Sequence, residues 1–435
     1  MSERLRNDLR QARWESGMSW EQFAQATSFT PAYLRNVENG NRSVTIDVAA
    51  AYDRALRTDG RFARELADGE TAPSNVPWDQ DGAALAVLSD LVDGRRGRVD
   101  RRGFVKVGAA LSVSAGSWAN ALLTRPSAGR EGTSSLGGTA LLANMASRLE
   151  LLRRMDDELG SKQVREQALG ELSLTVTLLK AGRYQGSAAN RLLRLAGEAA
   201  RQVAWCTFDQ GHRPGEAQQY FDASLRASAE AGDTTGGAYT ISFAAVQLYS
   251  TGQANRAVAL LETARSQLGR HSTPRMQAML AARTARALSK TGAKAAAGRQ
   301  LHLAHAMLDK DPQDDEPEFL YWVTPSEVEM IAGSSALDLG DPAEALRRFE
   351  AGMRAHPSVD EEFPRSHAIY LARAAEAHLA LADLDAAVAT AWRAAACLGS
   401  VDSARSSSQL KGLRAKLAPH AAYRPVTDFL QPAAG

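Results

Sequence analysis

The run Ser19-Trp20-Glu21-Gln22-Phe23-Ala24-Gln25-Ala26-Thr27-Ser28-Phe29-Thr30-Pro31-Ala32-Tyr33-Leu34 carries two helix starts separated by one short turn. Ser19 stands where an N-cap hydroxyl accepts from the backbone, and Gln22, three residues on, is placed to return the bond to the Ser19 amide. Met18 and Phe23 flank that cap as a hydrophobic staple. After Thr27-Ser28 the pattern recurs: Thr30 is the N-cap, Pro31 fills the first helical position, where its missing N–H has no partner to lose, and Phe29 staples to Leu34. This later helix is expected to stop at Gly40.

Outward from that stretch, residues 4 to 16 form a preceding helix with Leu5, Leu9 and Ala12 on one face, ended by Gly17. A following helix from Thr45 to Leu56 offers Ile46, Ala49, Ala50 and Leu56 as the closing wall of a small core. Two short helices joined by a tight turn and braced on either side make a helix-turn-helix, whose second member fits the major groove of DNA.

The residues Arg13, Gly17, Ser19 to Ala24 and Leu34 to Arg42 (LRNVENGNR) resemble the Xre/Cro/cI family of bacterial and phage regulators, over a unit expected to span 1–66. The resemblance implies a buried ion pair between Arg13 and Glu38, with a structural role. It also implies base contacts from the exposed face of the third helix, at Thr30, Ala32, Tyr33, Arg35 and Asn36. Arginine suits guanine edges and asparagine suits adenine. Trp20 departs from the family, which commonly has a phosphate-contacting glutamine there. Arg6, Arg10, Asn41 and Arg42 remain as candidates for backbone contacts. Residues 1–42 hold six Arg against five Asp and Glu, a weak electrostatic footprint for a nucleic-acid binder.

Helical periodicity continues through the rest of the chain, so the fold is expected to be all-α. Residues 67–138 read as a linker with Pro- and Gly-rich breaks, a basic run (Arg95, Arg96, Arg98, Arg101, Arg102, Lys106) and an apolar helix from Phe104 to Leu123. The basic run reads equally as an arm adding affinity for DNA or as a solvated linker. Arg101-Arg102 before an apolar stretch looks like a twin-arginine export signal, but a whole domain precedes it. Ser112, Ser114, Gly116, Ser117 and Asn120 make a membrane span a poor reading.

From residue 139 to 418 a turn recurs: Phe208 to Gly211, Tyr249 to Gly252, Ser289 to Gly292, Leu337 to Gly340 and Leu381 to Asp383. An alanine follows each, at Ala217, Ala257, Ala297, Ala345 and Ala387. Helix, turn, helix at a period of about 40 residues, with small residues where helices approach, resembles tetratricopeptide repeats, whose usual period is shorter. The expected architecture is therefore an N-terminal helix-turn-helix domain plus a tetratricopeptide-like α-solenoid with a concave face, ending in a tail at 419–435. The whole layout resembles large actinobacterial regulators.

Net charge is +1, with 51 Lys and Arg against 50 Asp and Glu, so bulk charge gives no nucleic-acid signal. Cys206 and Cys397 stand alone, which excludes a disulfide framework and fits a reducing cytoplasm. No P-loop, dinucleotide fingerprint or nucleophile triad occurs, so neither an enzyme nor a cofactor is expected. His302, His305 and Asp309 share a helical face but lack a third strong metal ligand, and surface roles fit them better. Arg283, Arg286, Tyr321, Trp322 and Glu329 are candidates to project into the solenoid groove and hold a ligand. The expectation is a cytoplasmic homodimer binding a double-stranded DNA operator, with its dimer surface in the 104–123 helix or in the repeats and an effector bound by the repeats. An interaction scaffold with a weak DNA-binding domain is the alternative.

Overall fold

The structure, a computed structural model, describes residues 3–27, 29–39, 44, 46–58, 60–62, 78, 82–94, 103–124, 136–211, 214–269, 272–311, 313, 315–356, 363–398 and 403–431. It has two compact units: Met1–Asn75 with Asp93–Val107, and Val76–Val92 with Gly108–Gly435. Among the described residues every regular element is a helix.

In the first unit α1 (Glu3–Glu15), α2 (Trp20–Thr27), α3 (Pro31–Glu38) and α4 (Ile46–Leu56) surround one core. The local start signals form as the sequence predicts. The Ser19 amide donates to Gln22 Oε1 at 2.9 Å while the Gln22 amide donates to Ser19 Oγ at 3.2 Å. The Tyr33 amide donates to Thr30 Oγ1 at 3.2 Å ahead of Pro31. Leu9, Phe23, Leu34, Val37, Val48, Tyr52 and Phe62 are fully buried together, each large apolar side chain stabilising the unit by about 1.5–3 kcal/mol. Ala49 is buried as expected; Ala50 and Leu56 are only partly buried, the side chain of Ile46 lies outside the described residues, and α4 adds Val48, Ala51 and Tyr52 to the inward face.

The second unit is built from helical hairpins: α7 (Leu136–Leu159) with α8 (Ser161–Lys180), α9 (Ser187–Asp209) with α10 (Pro214–Glu230), and α11 (Thr234–Ser250) with α12 (Ala254–Leu268). Then come α13 (Pro274–Lys290) with α14 (Lys294–Leu308), α15 (Pro325–Asp338) with α16 (Pro342–Ala355), and α17 (Pro364–Ala380) with α18 (Leu384–Cys397). The turns fall where the sequence repeats. Gly252, Gly292 and Gly340 take left-handed φ angles of 83°, 79° and 79°, and Ala382 occupies the same turn position at 60°. The recurring alanines at 217, 257, 297, 345 and 387 are buried, since a side chain beyond Cβ would push the paired helices apart.

Two segments differ from expectation. Residues 67–138 are not simply linker: α5 (Ala83–Val92) and α6 (Gly103–Thr124), the latter from Gly108 onward, belong to the solenoid unit. Leu111, Ala115 and Trp118 form the stripe that α6 buries in the same core as α9, α10 and α11. Ser114 Oγ hydrogen-bonds Asp222, and the Glu230 carboxylate accepts from the Gly82 and Ala84 amides at 3.1 and 3.0 Å to cap α5. The stripe Leu111, Ala115 and Trp118 is therefore covered by its own chain, while Leu123 at the end of α6 is exposed. Likewise the tail is ordered: after α19 (Ala404–Leu417), α20 (Arg424–Leu430) buries Val426 and Phe429 against Leu413 and Leu417. Among the described residues no helix is long and apolar enough to cross a membrane.

Candidate functional site

The first candidate surface is the outer face of α3. Its apolar residues Leu34 and Val37 and the carboxylate of Glu38 point inward, leaving Ala32 and Arg35 exposed and Tyr33 and Asn36 half-exposed. What holds that orientation is a polar knot at the end of the helix. Arg13 Nε and Nη2 donate to the two Glu38 oxygens at 2.8 and 3.0 Å, and Tyr52 OH donates to Glu38 Oε1 at 2.8 Å. Burial pushes the Tyr52 phenol well above its usual range, with Glu38 adding to the effect, so it stays a donor. The Arg10 guanidinium also donates to the Glu38 carbonyl, tying α1 to the last turn of α3. A side chain expected to meet phosphate thus has a structural duty as well.

Trp20 has an evident role. Its ring lies 3.8 Å from the Arg13 guanidinium carbon and 5.1 Å from that of Arg35, distances at which the ring face attracts a cation. It therefore flanks the ion pair on one side and orients the exposed Arg35 on the other. The Phe29 ring stacks on Tyr33 at 5.2 Å, so Tyr33 is partly committed to the helix start. Thr30 is exposed and occupied as the cap, and Arg6 is half-buried on α1. Asn41, Arg42 and the arginines at 95, 96, 98, 101 and 102 lie outside the described residues, as does the side chain of Lys106.

The second candidate is a cavity of about 610 Å³ inside the solenoid, lined by the first helix of each hairpin from α7 to α17 and by α19. The ring of helices around it closes where the last hairpin meets the first. Arg365 on α17 reaches α7, donating from Nη1 to Asp156 Oδ2 at 2.6 Å and from Nη2 to Asp157 Oδ1 at 3.2 Å, across 209 and 208 residues of chain. Tyr321 OH also hydrogen-bonds Asp157. Asp156 accepts further bonds from Trp205 Nε1 at 3.0 Å and Ser161 Oγ at 2.6 Å, so this buried carboxylate is fully partnered.

The walls are aromatic and cationic. Arg201 lies 4.7 Å from the rings of both Tyr239 and Phe243, Arg405 lies 4.7 Å from Trp205, and Arg283 lies 4.8 Å from Trp322. Nine Arg and Lys side chains line the cavity against four Asp and Glu, and the carboxylates behind the wall do not fully balance them. Burial works against ionising Glu198, but the adjacent Arg201 and Arg153 hold it at about 2. Asp338 is likewise held at about 2 against burial by Arg286 and Arg373. Burial pushes Asp157 up to about 7 against the pull of Arg365.

Of the groove residues expected from the sequence, Arg283, Arg286, Tyr321 and Trp322 line this cavity together. Glu329 does not. It faces away on α15, 3.2 Å from Arg348 and 3.4 Å from His305, because two positions along a helix turn a side chain to the opposite face; Glu327 lines the cavity instead. Arg201, Trp205, Arg365 and Arg405 were not anticipated. Arginines recurring inside otherwise apolar first helices of the hairpins are the signal that marks them. Among the described residues no group of three His, Cys, Asp or Glu gathers as a metal site, His302, His305 and Asp309 included.

A family model described as a helix-turn-helix domain matches residues 4–66. This is the class of a DNA-binding regulator, and the match covers the unit whose third helix is described above. No curated protein matches the chain.

Proposed function

We propose that this chain is a sequence-specific transcriptional regulator of the Xre type. In this reading α3 enters the major groove and the solenoid, tetratricopeptide-like in its hairpins, is the receptor for an effector. The observation that carries the DNA reading is the two-sidedness of α3: Leu34, Val37 and Glu38 are locked inward while Arg35, steadied by Trp20, and Asn36 lie toward the outside. Arginine and asparagine on an outward helix face match guanine and adenine edges. One short helix reads few bases, so the working form is a homodimer on two half-sites. Its interface does not use the buried stripe Leu111, Ala115 and Trp118. The protein acts in the cytoplasm by binding and not by catalysis.

Selection of bound duplexes from a random-sequence pool tests this directly. Enrichment of a two-part motif by the full-length protein is the expected result; a pool that stays random would leave the chain as a protein-interaction scaffold. The receptor role is tested separately by filling the cavity. Ser366, on the wall in α17, replaced by Trp should change affinity for the selected operator, and an unchanged affinity would remove the receptor role.

A further inference from the structure

The geometry points to an anionic ligand with a flat, unsaturated body as the occupant of the solenoid cavity, its acidic group received by Arg283 where that side chain lies over the Trp322 ring. This rests on the solenoid being a receptor and adds the chemical class it receives.

Every other cation on the wall has a carboxylate partner. Arg153 and Arg201 share Glu198; Arg286, Lys290 and Arg373 share Asp338. Arg365 pairs with Asp156, Arg405 with Asp209 and Lys416 with Glu376. Among the described residues lining the cavity, Arg283 is the one Arg or Lys with no carboxylate oxygen within 4 Å. Its Nε is buried without a hydrogen-bond partner, as are those of Arg153, Arg365, Arg373 and Arg405, so it is the missing carboxylate that sets Arg283 apart. A guanidinium cannot lose its proton, so Arg283 faces the cavity, partly exposed, as a positive charge without a carboxylate partner. Tyr249 and Glu327 both favour the charge on Arg283, Tyr249 also through a side-chain hydrogen bond, but the Glu327 carboxylate stays beyond salt-bridge distance and its oxygen is already taken by Tyr370 OH at 2.7 Å. An incoming carboxylate, sulfonate or phosphate would supply the missing charge-assisted hydrogen bonds.

The body of the ligand follows from the remaining wall. Trp322, Tyr239 and Phe243 adjoin one another, with Trp322 Nε1 donating to Tyr239 OH at 3.2 Å and the Tyr239 and Phe243 rings 5.0 Å apart. Tyr239 and Phe243 are themselves buried, Tyr239 stacked on Phe319 at 4.1 Å, so they back the partly exposed rings of Tyr321 and Trp322, which favour a stacked or edge-on ring. A volume of about 610 Å³ is that of a site for a small organic molecule and excludes a folded polymer.

The test uses two dyes that differ by one sulfonate group: 8-anilinonaphthalene-1-sulfonate and its uncharged parent N-phenyl-1-naphthylamine. The full-length protein is titrated with each by fluorescence at one fixed salt concentration. It should bind one sulfonate dye per chain, at least about tenfold tighter than the neutral dye, a margin equivalent to about 1.4 kcal/mol. Arg283→Met should remove that preference, weakening the sulfonate about tenfold while leaving the neutral dye within about twofold, and Arg283→Lys should retain part of it. Equal affinity for both dyes in the parent protein overturns the assignment. So does a sulfonate affinity unmoved by Arg283→Met in protein whose circular-dichroism melt is unchanged. Should Arg283→Met melt early, the parent protein and Arg283→Lys decide alone. A chain that selects an operator and responds to Ser366→Trp, yet shows no dye preference, loses only the ligand class and keeps its proposed function.

Discussion

Replacing Glu38 by alanine should loosen the whole first unit. Its carboxylate is 3% exposed and accepts both forks of Arg13, itself 12% exposed, together with the Tyr52 hydroxyl. Removing one partner of a buried pair costs about 3–5 kcal/mol, because the other charge is left without its counterion. Trp20 lies 3.8 Å from the stranded guanidinium and offsets roughly 0.5–2 kcal/mol of that. The net loss is then about 1–4.5 kcal/mol, while a unit of this size has only about 3–9 kcal/mol in total. Hydrogen exchange on the full-length protein isolates the effect. Amides of α2 and α3 should exchange roughly 5- to 1,600-fold faster while those of α9 to α13 stay as they were. Arg13→Met with Glu38→Leu, which removes both charges and keeps the volume, should recover most of the protection. Acceleration below about fivefold in Glu38→Ala, or a double variant as loose as the two single losses added, would refute the reasoning.

Arg35→Ala and Asn36→Ala should each cost about 1–3 kcal/mol of binding to the selected operator, with nonspecific binding unchanged at the same salt concentration; two variants that bind like the parent would remove α3 as the reader. Ala382→Gly should raise the melting temperature, since an L side chain at φ 60° costs about 1 kcal/mol that glycine escapes; an unchanged or lower melting temperature counts against that strain. For Asp157, burial raises the folded carboxyl to about 7 in the company of Arg365, Asp156 and Tyr321. The folded chain therefore holds this proton more tightly than the unfolded one, and stability falls as pH rises from about 4 to about 7, then levels. Chemical unfolding across that range should show a decline that Asp157→Asn lacks, and parallel curves for the two proteins would contradict it.

The first unit was legible because its signals are local. A capping box needs only Ser19 and Gln22, and a helix start needs only Thr30 and Pro31. The hairpin turns were legible for the same reason, since a left-handed backbone at Gly252 or Gly340 selects its residue directly. What depended on distant partners was not. The stripe Leu111, Ala115 and Trp118 announces burial without naming what buries it, so α6 read as a linker or a dimer face. Closure by Arg365 onto Asp156 depends on the summed twist of several hairpins, each too small to read from spacing. Trp20 looked like the loss of a phosphate contact because its value lies in two arginines brought to its ring by folding. Glu329 and Glu327 differ by a rotation about α15 that a nearly uniform apolar helix leaves undefined in sequence.

The seat of Trp118 has a consequence for synthesis. A Cβ at Gly237 would lie 2.3 Å from the indole nitrogen, so the ring fits only because position 237 has no side chain. Residues 118 and 237 are 119 apart in the chain. At about 5–20 residues per second of translation, the indole and the stripe beside it wait roughly 6–24 s before the surface that receives them has been made. During that interval α6 presents an uncovered apolar face to the cell, and this helix is where the nascent chain should first need a chaperone. Across related sequences the two positions should also change together, a bulkier residue at 237 being accompanied by a smaller one at 118.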